Sequence, residues 1–182
     1  LPFRRFVFCE LDKGKLSALE DRVRRRLPGA RATFLLGDTN DSVAGVLKEI
    51  PTGGRNQGVL NFCFVDPFAC RNLKFSTIRT LASRRVDFFV LIPSGMDAGR
   101  NLHLYGEVDN PILDEFLGST GWRQRWEILR AENPKLAFGD FVANEFGEMM
   151  KGLGYIYNGL NEMKRVRSTE KNLPLYHLCM FS

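Results

Sequence analysis

The chain has 182 residues, 44% of them hydrophobic, a length that suits one domain with a full core and excludes two domains of ordinary size. Its 26 basic and 21 acidic residues leave a formal charge of +5, a surplus that ordinarily marks a solvated face and leaves nucleic-acid contact open. No apolar stretch approaches membrane-spanning length, and the four cysteines, Cys9, Cys63, Cys70 and Cys179, form no CxxC pair, so the expectation is a soluble, reduced, cytoplasmic protein without a zinc knuckle.

In chain order, Phe6 to Glu10 reads as a strand, and Lys15 to Leu27 as a helix with Leu16, Leu19, Val23 and Leu27 at helical spacing, stopped by Pro28-Gly29. Thr33 to Gly37 reads as the second strand. Asp41-Ser42 is the expected cap of a helix whose stripe is Val43, Val46, Leu47 and Ile50. Thr52 to Gly58 is a polar loop, and it lacks the lysine and the preceding strand that a phosphate-binding P-loop needs. Leu60 to Val65 is apolar at almost every position, as expected for a central strand buried on both faces; Ser76 to Ser83 supplies a short helix and Val86 to Ile92 a fourth strand. Residues 94–121, rich in glycine and asparagine, are expected to be an irregular loop or lid, with a short helix at Ile112 to Leu117. Trp122 and Trp126, at helical spacing, are expected to pack on a core. Phe138 to Leu153 is helical, and Tyr155 to Val166 with Leu175 to Phe181 is expected to form an antiparallel pair at a sheet edge.

Strands alternating with helices argue for parallel βαβ crossovers, hence one α/β domain over residues 1–182. The chain begins almost inside its first strand and ends almost inside its last, so segments are expected to be missing from both ends.

Three apolar runs close on an acid: Glu10, Asp38 and Asp66. Open α/β sheets bind ligands at the carboxyl ends of their strands, where Glu10 could grip a ribose diol, Leu11 pack on an adenine face, and Asp38, with Thr39 beside it, accept from the adenine amine. The competing account is that Glu10 and Asp38 cap the helices that follow them. Asp66-Pro67-Phe68 could hold an amine against a carboxylate and a proline carbonyl while the ring stacks on a planar substrate; the competing account is a tight turn with Asp66 as a cap and Phe68 in the core. His103 and His177 match no metal or triad spacing, and Arg100 reads as a surface residue.

Glu10, Gly37-Asp38-Thr39-Asn40, Phe64-Val65-Asp66-Pro67-Phe68, Val86-Asp87 through Leu91-Ile92-Pro93, and Leu175-Tyr176-His177-Leu178 with Phe181-Ser182 together resemble the three-Cys-motif partner protein family, in order along nearly the whole chain. That family resembles class I S-adenosylmethionine-dependent methyltransferases. The resemblance implies a Rossmann-like methyltransferase sheet, mostly parallel with an antiparallel edge pair and helices on both faces. It also implies S-adenosylmethionine held by Glu10, Leu11, Asp38 and Thr39, and methyl transfer at Asp66, Pro67 and Phe68. The family's first strand and its glycine-rich loop have no counterpart before Phe6, and Asp66-Pro67-Phe68-Ala69 lacks the second proline of the amino-methyltransferase tetrapeptide. The expected partner is a three-Cys-motif protein, with nucleic acid as the preferred methyl acceptor and no metal. The alternatives are a non-catalytic methyltransferase-like scaffold and a metal-dependent nuclease or hydrolase using Asp38 and Asp66.

Overall fold

The computed structural model describes residues 3–51 and 58–182. The chain forms two compact units, Leu1–Val59 and Leu60–Ser182, each described by itself.

The first unit is a βαβα element: β1 (Arg5–Glu10), α1 (Lys13–Arg26), β2 (Arg31–Leu36) and α2 (Thr39–Glu49). β1 and β2 run parallel, in register from Arg5 beside Arg31 to Glu10 beside Leu36. α1 starts two residues before the expected Lys15 because Asp12 caps it, its Oδ1 accepting the Lys15 N–H at 2.8 Å. α2 likewise starts at Thr39, capped by Asp38 and not by the expected Asp41-Ser42. Phe8 stacks on Phe34 across the strands with ring centroids 5.4 Å apart, and Leu16 of α1 is buried beneath the helix. Most other apolar side chains here are half-buried, as expected where two strands and two helices supply little area to shield one another. The expected loop Thr52 to Gly58 lies, except for Gly58, outside the described residues.

The second unit holds β3 (Asn61–Val65), α3 (Phe75–Ala82), β4 (Val86–Ile92), α4 (Leu102–Tyr105), α5 (Ile112–Leu117), α6 (Trp122–Glu132), α7 (Phe138–Gly152), β5 (Lys164–Arg167) and β6 (Pro174–Phe181). Its sheet runs β3-β4-β6-β5; β3 and β4 are parallel, and β6 is antiparallel to both β4 and β5. The molecule is therefore α/β with mixed pairing. The mostly parallel single sheet expected from the strand–helix alternation is not what the described residues form: they give one two-stranded and one four-stranded sheet.

β4 alternates strictly, with Val86, Phe88, Val90 and Ile92 buried. β3 does not have the two-sided burial expected of it. Among the described residues only β4 flanks it, and Phe62 and Phe64 are 43% and 56% exposed. The expected strand from Tyr155 shrinks to Lys164–Arg167 because the preceding tyrosines are committed to packing. Tyr155 donates its hydroxyl to Val86 O at 2.7 Å, and the buried Tyr157 donates to Asn144 Oδ1 at 2.9 Å.

The core is aromatic. Phe146 meets Phe75, Phe116 and Phe181 at centroid distances of 5.7, 5.2 and 6.2 Å, while Trp122 and Trp126 close on Phe138, the latter at 4.9 Å. Residues 94–121, expected to be irregular, contain a π-helical turn at Ser94–Ala98 and the helices α4 and α5. Arg123 ties this segment down. It donates to Asp114 Oδ1 at 2.6 Å and to the carbonyls of Glu107 and Asn110 at 3.0 and 2.7 Å, with its guanidinium 4.5 Å from the Trp122 ring centre. Among the described residues no helix is long and apolar enough to cross a membrane.

Candidate functional site

The expected cofactor residues lie at the carboxyl end of the β1–β2 pair. Glu10 ends β1 opposite Leu36, and the Gly37 N–H donates to Glu10 O at 3.0 Å, so the backbones of Glu10 and of the residue preceding Asp38 are directly bonded. Gly37 has φ 146°, a conformation that side-chain-bearing residues rarely adopt, and this turns the chain sharply from β2 into the Asp38 cap. Glu10 Oε1 accepts the Asp12 N–H at 2.9 Å, and Asp38 Oδ1 accepts the Asn40 N–H at 2.7 Å. Both acids therefore serve the backbone that follows them with one oxygen and keep a second. Leu11 is 69% exposed beside Glu10, and Thr39 is exposed in the first turn of α2.

Asp66-Pro67-Phe68 leaves β3 in the second unit. Asp66 is exposed and Pro67 buried; Phe68, 76% exposed, is not in the core that the turn-only account required. The loop is fastened from behind. Ala69 N–H donates to Asn72 Oδ1 at 3.0 Å, and Cys70 N–H donates to Asp97 Oδ2 at 2.7 Å. Asp97, in the π-helical turn that follows β4, is buried and also accepts from the Tyr105 hydroxyl at 2.9 Å and the Asn101 amide at 2.8 Å. Burial, with the Asp97 carboxylate alongside, pushes the hydroxyl of Tyr105 and the thiol of Cys70 up from their ordinary values, so both stay protonated. The loops at the carboxyl ends of the parallel strands β3 and β4 are thus locked together by one carboxylate. π-Helical turns of this kind occur disproportionately at functional sites.

A second polar cluster lies at the β4–β6 junction. Ser94 Oγ is 2.7 Å from His177 Nδ1, Arg165 Nε donates to His177 Nε2 at 3.3 Å, and Asp140 Oδ1 is 3.6 Å from that nitrogen. The residue types are those of a hydrolytic triad, but the protonation logic is reversed. Arginine is always a donor, so Nε2 must accept, Nδ1 carries the proton, and the imidazole donates to Ser94 and cannot deprotonate it. Ser94 and His177 are 1% and 3% exposed, which leaves no room for a substrate. Burial first, and Arg165 next, hold the His177 pKa below its ordinary value against the opposing pull of Asp140, which fits a neutral ring acting as a structural pin.

The structure thus brings Glu10, Leu11, Asp38 and Thr39 to one strand edge, and sets Asp66, Pro67 and Phe68 on one braced loop in the second unit. Sequence reading missed Asp97 and Tyr105, because a buried acid inside a glycine-bearing segment has no periodic signature. It also missed the Ser94–His177 contact, which spans 83 positions. Arg100 is exposed, as expected of a surface residue; His103, expected in a loop, is exposed within α4. Among the described residues, no group of three or more His, Cys, Asp or Glu side chains is placed to hold a metal ion. Comparison with protein-family models, with curated proteins and with solved structures gives no match.

Proposed function

We propose that the chain is an S-adenosylmethionine-dependent methyltransferase in which Glu10 binds the ribose diol and Asp38 the adenine amine. The supporting observation is that two carboxylates stand at the carboxyl ends of adjacent parallel strands, whose backbones are joined there by the 3.0 Å bond from Gly37 N–H to Glu10 O, each with an oxygen to spare. Ribose recognition needs a carboxylate held in one orientation, and the Asp12 N–H holds Glu10 that way. The exposed Leu11 side chain supplies an apolar surface for a purine face.

When bound, S-adenosylmethionine supplies an electrophilic methyl group. The part played by the chain is positioning. On the Asp66-Pro67-Phe68 loop, the Asp66 carboxylate and the Pro67 carbonyl orient an acceptor amine, and Phe68 stacks on the plane that carries it. A nucleic-acid base is the acceptor class we favour, since its exocyclic amine is planar with a ring that Phe68 can cover.

Calorimetric titration with S-adenosylmethionine tests the reading. Binding is expected, and Glu10→Gln and Asp38→Asn are each expected to weaken it at least about tenfold, the equivalent of about 1.4 kcal/mol. A folded protein that gives no binding heat, or variants that bind as well as the parent, sinks the proposal.

A further inference from the structure

The amino-terminal edge of the β1–β2 pair carries a charge arrangement that the fold does not need. Arg5 and Arg31 are direct neighbours across the parallel strands, and like charges so placed are destabilising. Glu49 compensates only one of them: Arg5 Nη1 donates to Glu49 O at 2.7 Å and lies 3.7 Å from the Glu49 carboxylate. Arg31, and Arg4 next to Arg5, pair with no carboxylate among the described residues. Phe3, Arg4, Arg5 and Arg31 line one cavity of about 640 Å³, together with Gly29, Ala30 and Pro51. α1 runs back along the strands, so its last turn, with the exposed Arg24, Arg25 and Arg26, ends five residues before Arg31 and feeds the same edge.

The three arginines in the last turn of α1 suit its dipole, but the dipole gives no reason for arginines that begin two adjacent strands. The cavity size and the guanidinium forks fit phosphodiester groups, which arginine recognises in a bidentate way, and Phe3, 43% exposed, offers a ring on which a base can stack. An anionic membrane is the less favoured ligand. Membrane-surface helices turn an apolar face outward, whereas Leu16 of α1 is buried and Leu19 and Val23 are half-buried towards the strands.

We infer that this arginine-lined edge binds the phosphodiester backbone of a single-stranded nucleic acid. The inference is independent of the methyl-donor proposal. It uses the opposite end of strands six residues long, about 17 Å from Glu10 and Asp38, so either reading can fail alone.

The test is fluorescence anisotropy of a labelled mixed-sequence single-stranded oligonucleotide, titrated with the protein across a salt series from about 50 to 200 mM. Binding is expected to weaken with salt with a log–log slope near −2, for about three phosphates at about 0.7 each. The double variant Arg4→Ala/Arg31→Ala is expected to lower affinity at least tenfold at low salt and to make the slope shallower by about 1.4, whereas Arg4→Lys/Arg31→Lys retains the slope. Far-UV circular dichroism checks that the variants are folded, and among the described residues neither arginine side chain makes a hydrogen bond or ion pair, while the backbone pairing of Arg31 in β2 is untouched by the substitution. No binding at low salt, an alanine double variant with the parental slope, or displacement of the oligonucleotide by phosphatidylserine vesicles overturns the inference.

Discussion

The backbone N–H of Cys70 donates to the buried carboxylate of Asp97 at 2.7 Å, joining two loops 27 positions apart at the carboxyl ends of β3 and β4. The same carboxylate takes the Tyr105 hydroxyl and the Asn101 amide; its removal orphans the Cys70 N–H and the Tyr105 hydroxyl, both on buried residues, while the Asn101 amide keeps its bond to the Asp97 carbonyl. Each buried donor left without a partner costs about 1–3 kcal/mol, and Asp97→Ala is expected to lose about 3–5 kcal/mol in urea unfolding. Tyr105→Phe removes one donor together with its need for a partner and is expected to lose only about 1 kcal/mol. An Asp97→Ala variant as stable as the parent refutes the bracing role.

His177 gives the fold a pH dependence whose sign follows from its depressed pKa. In the unfolded chain the ring takes a proton near its ordinary pKa of 6.5; in the folded chain, burial and Arg165 delay protonation to lower pH, against Asp140. Between those two pKa values the unfolded state binds more protons. Stability is therefore complete above about pH 6.5, falls as pH drops through the window below it, and levels off for this group under the folded-state pKa. His177→Gln, neutral at every pH, is expected to lower stability overall but to flatten this part of the profile. Urea midpoints measured for both proteins between about pH 7 and pH 5 decide it; parallel profiles rule out His177 as the source.

Asp38 is both a helix cap and the proposed adenine ligand, and one substitution separates the two roles. Serine caps about as well as aspartate, so Asp38→Ser is expected to stay within about 0.5 kcal/mol of the parent, whereas Asp38→Ala loses about 1 kcal/mol. If the carboxylate serves S-adenosylmethionine, both variants lose affinity equally despite their different stabilities. Serine with parental affinity leaves capping as the whole role of Asp38.

Local pattern predicted most elements because it reports on one segment at a time. β4 matches its expected span residue for residue, and of the apolar face that the spacing predicts for α7 (Phe141, Val142, Phe146, Met149, Met150 and Leu153), Phe141, Val142, Phe146 and Met150 are buried while Met149 and Leu153 are half-buried. Starts were read less well where an acid served as cap: Asp12, two residues past the strand-end Glu10, drew no notice, and Asp38 closes an apolar run, where capping and ligand binding call for the same side chain at the same place. β3 failed differently. Its unbroken apolar run looks central, but pairing depends on which strands flank it, and that is written nowhere within the run. The order in residues 94–121 comes from Arg123 and Asp97, polar hubs whose partners are mostly backbone carbonyls and amides, invisible to hydrophobic periodicity.

α7 carries two glycines for which alanine has opposite consequences. At Gly139, in its first turn, a Cβ would lie 2.4 Å from Ser94 O and 2.9 Å from Ser94 C. Those are backbone atoms of a buried residue whose side chain is bonded to His177, so the contact cannot be relieved by a rotamer change. α7 would have to move off the π-helical turn, and Gly139→Ala is expected to lose about 2–4 kcal/mol. At Gly152, the last residue of α7, a Cβ meets nothing within 4 Å. There alanine gains helix propensity and restricts the unfolded chain, and Gly152→Ala is expected to raise stability by up to about 1 kcal/mol. Urea denaturation of both variants measures the contrast. If Gly139→Ala is tolerated like Gly152→Ala, the close approach of α7 to Ser94 is not a feature of the folded protein, and the buried setting that keeps His177 neutral loses its support.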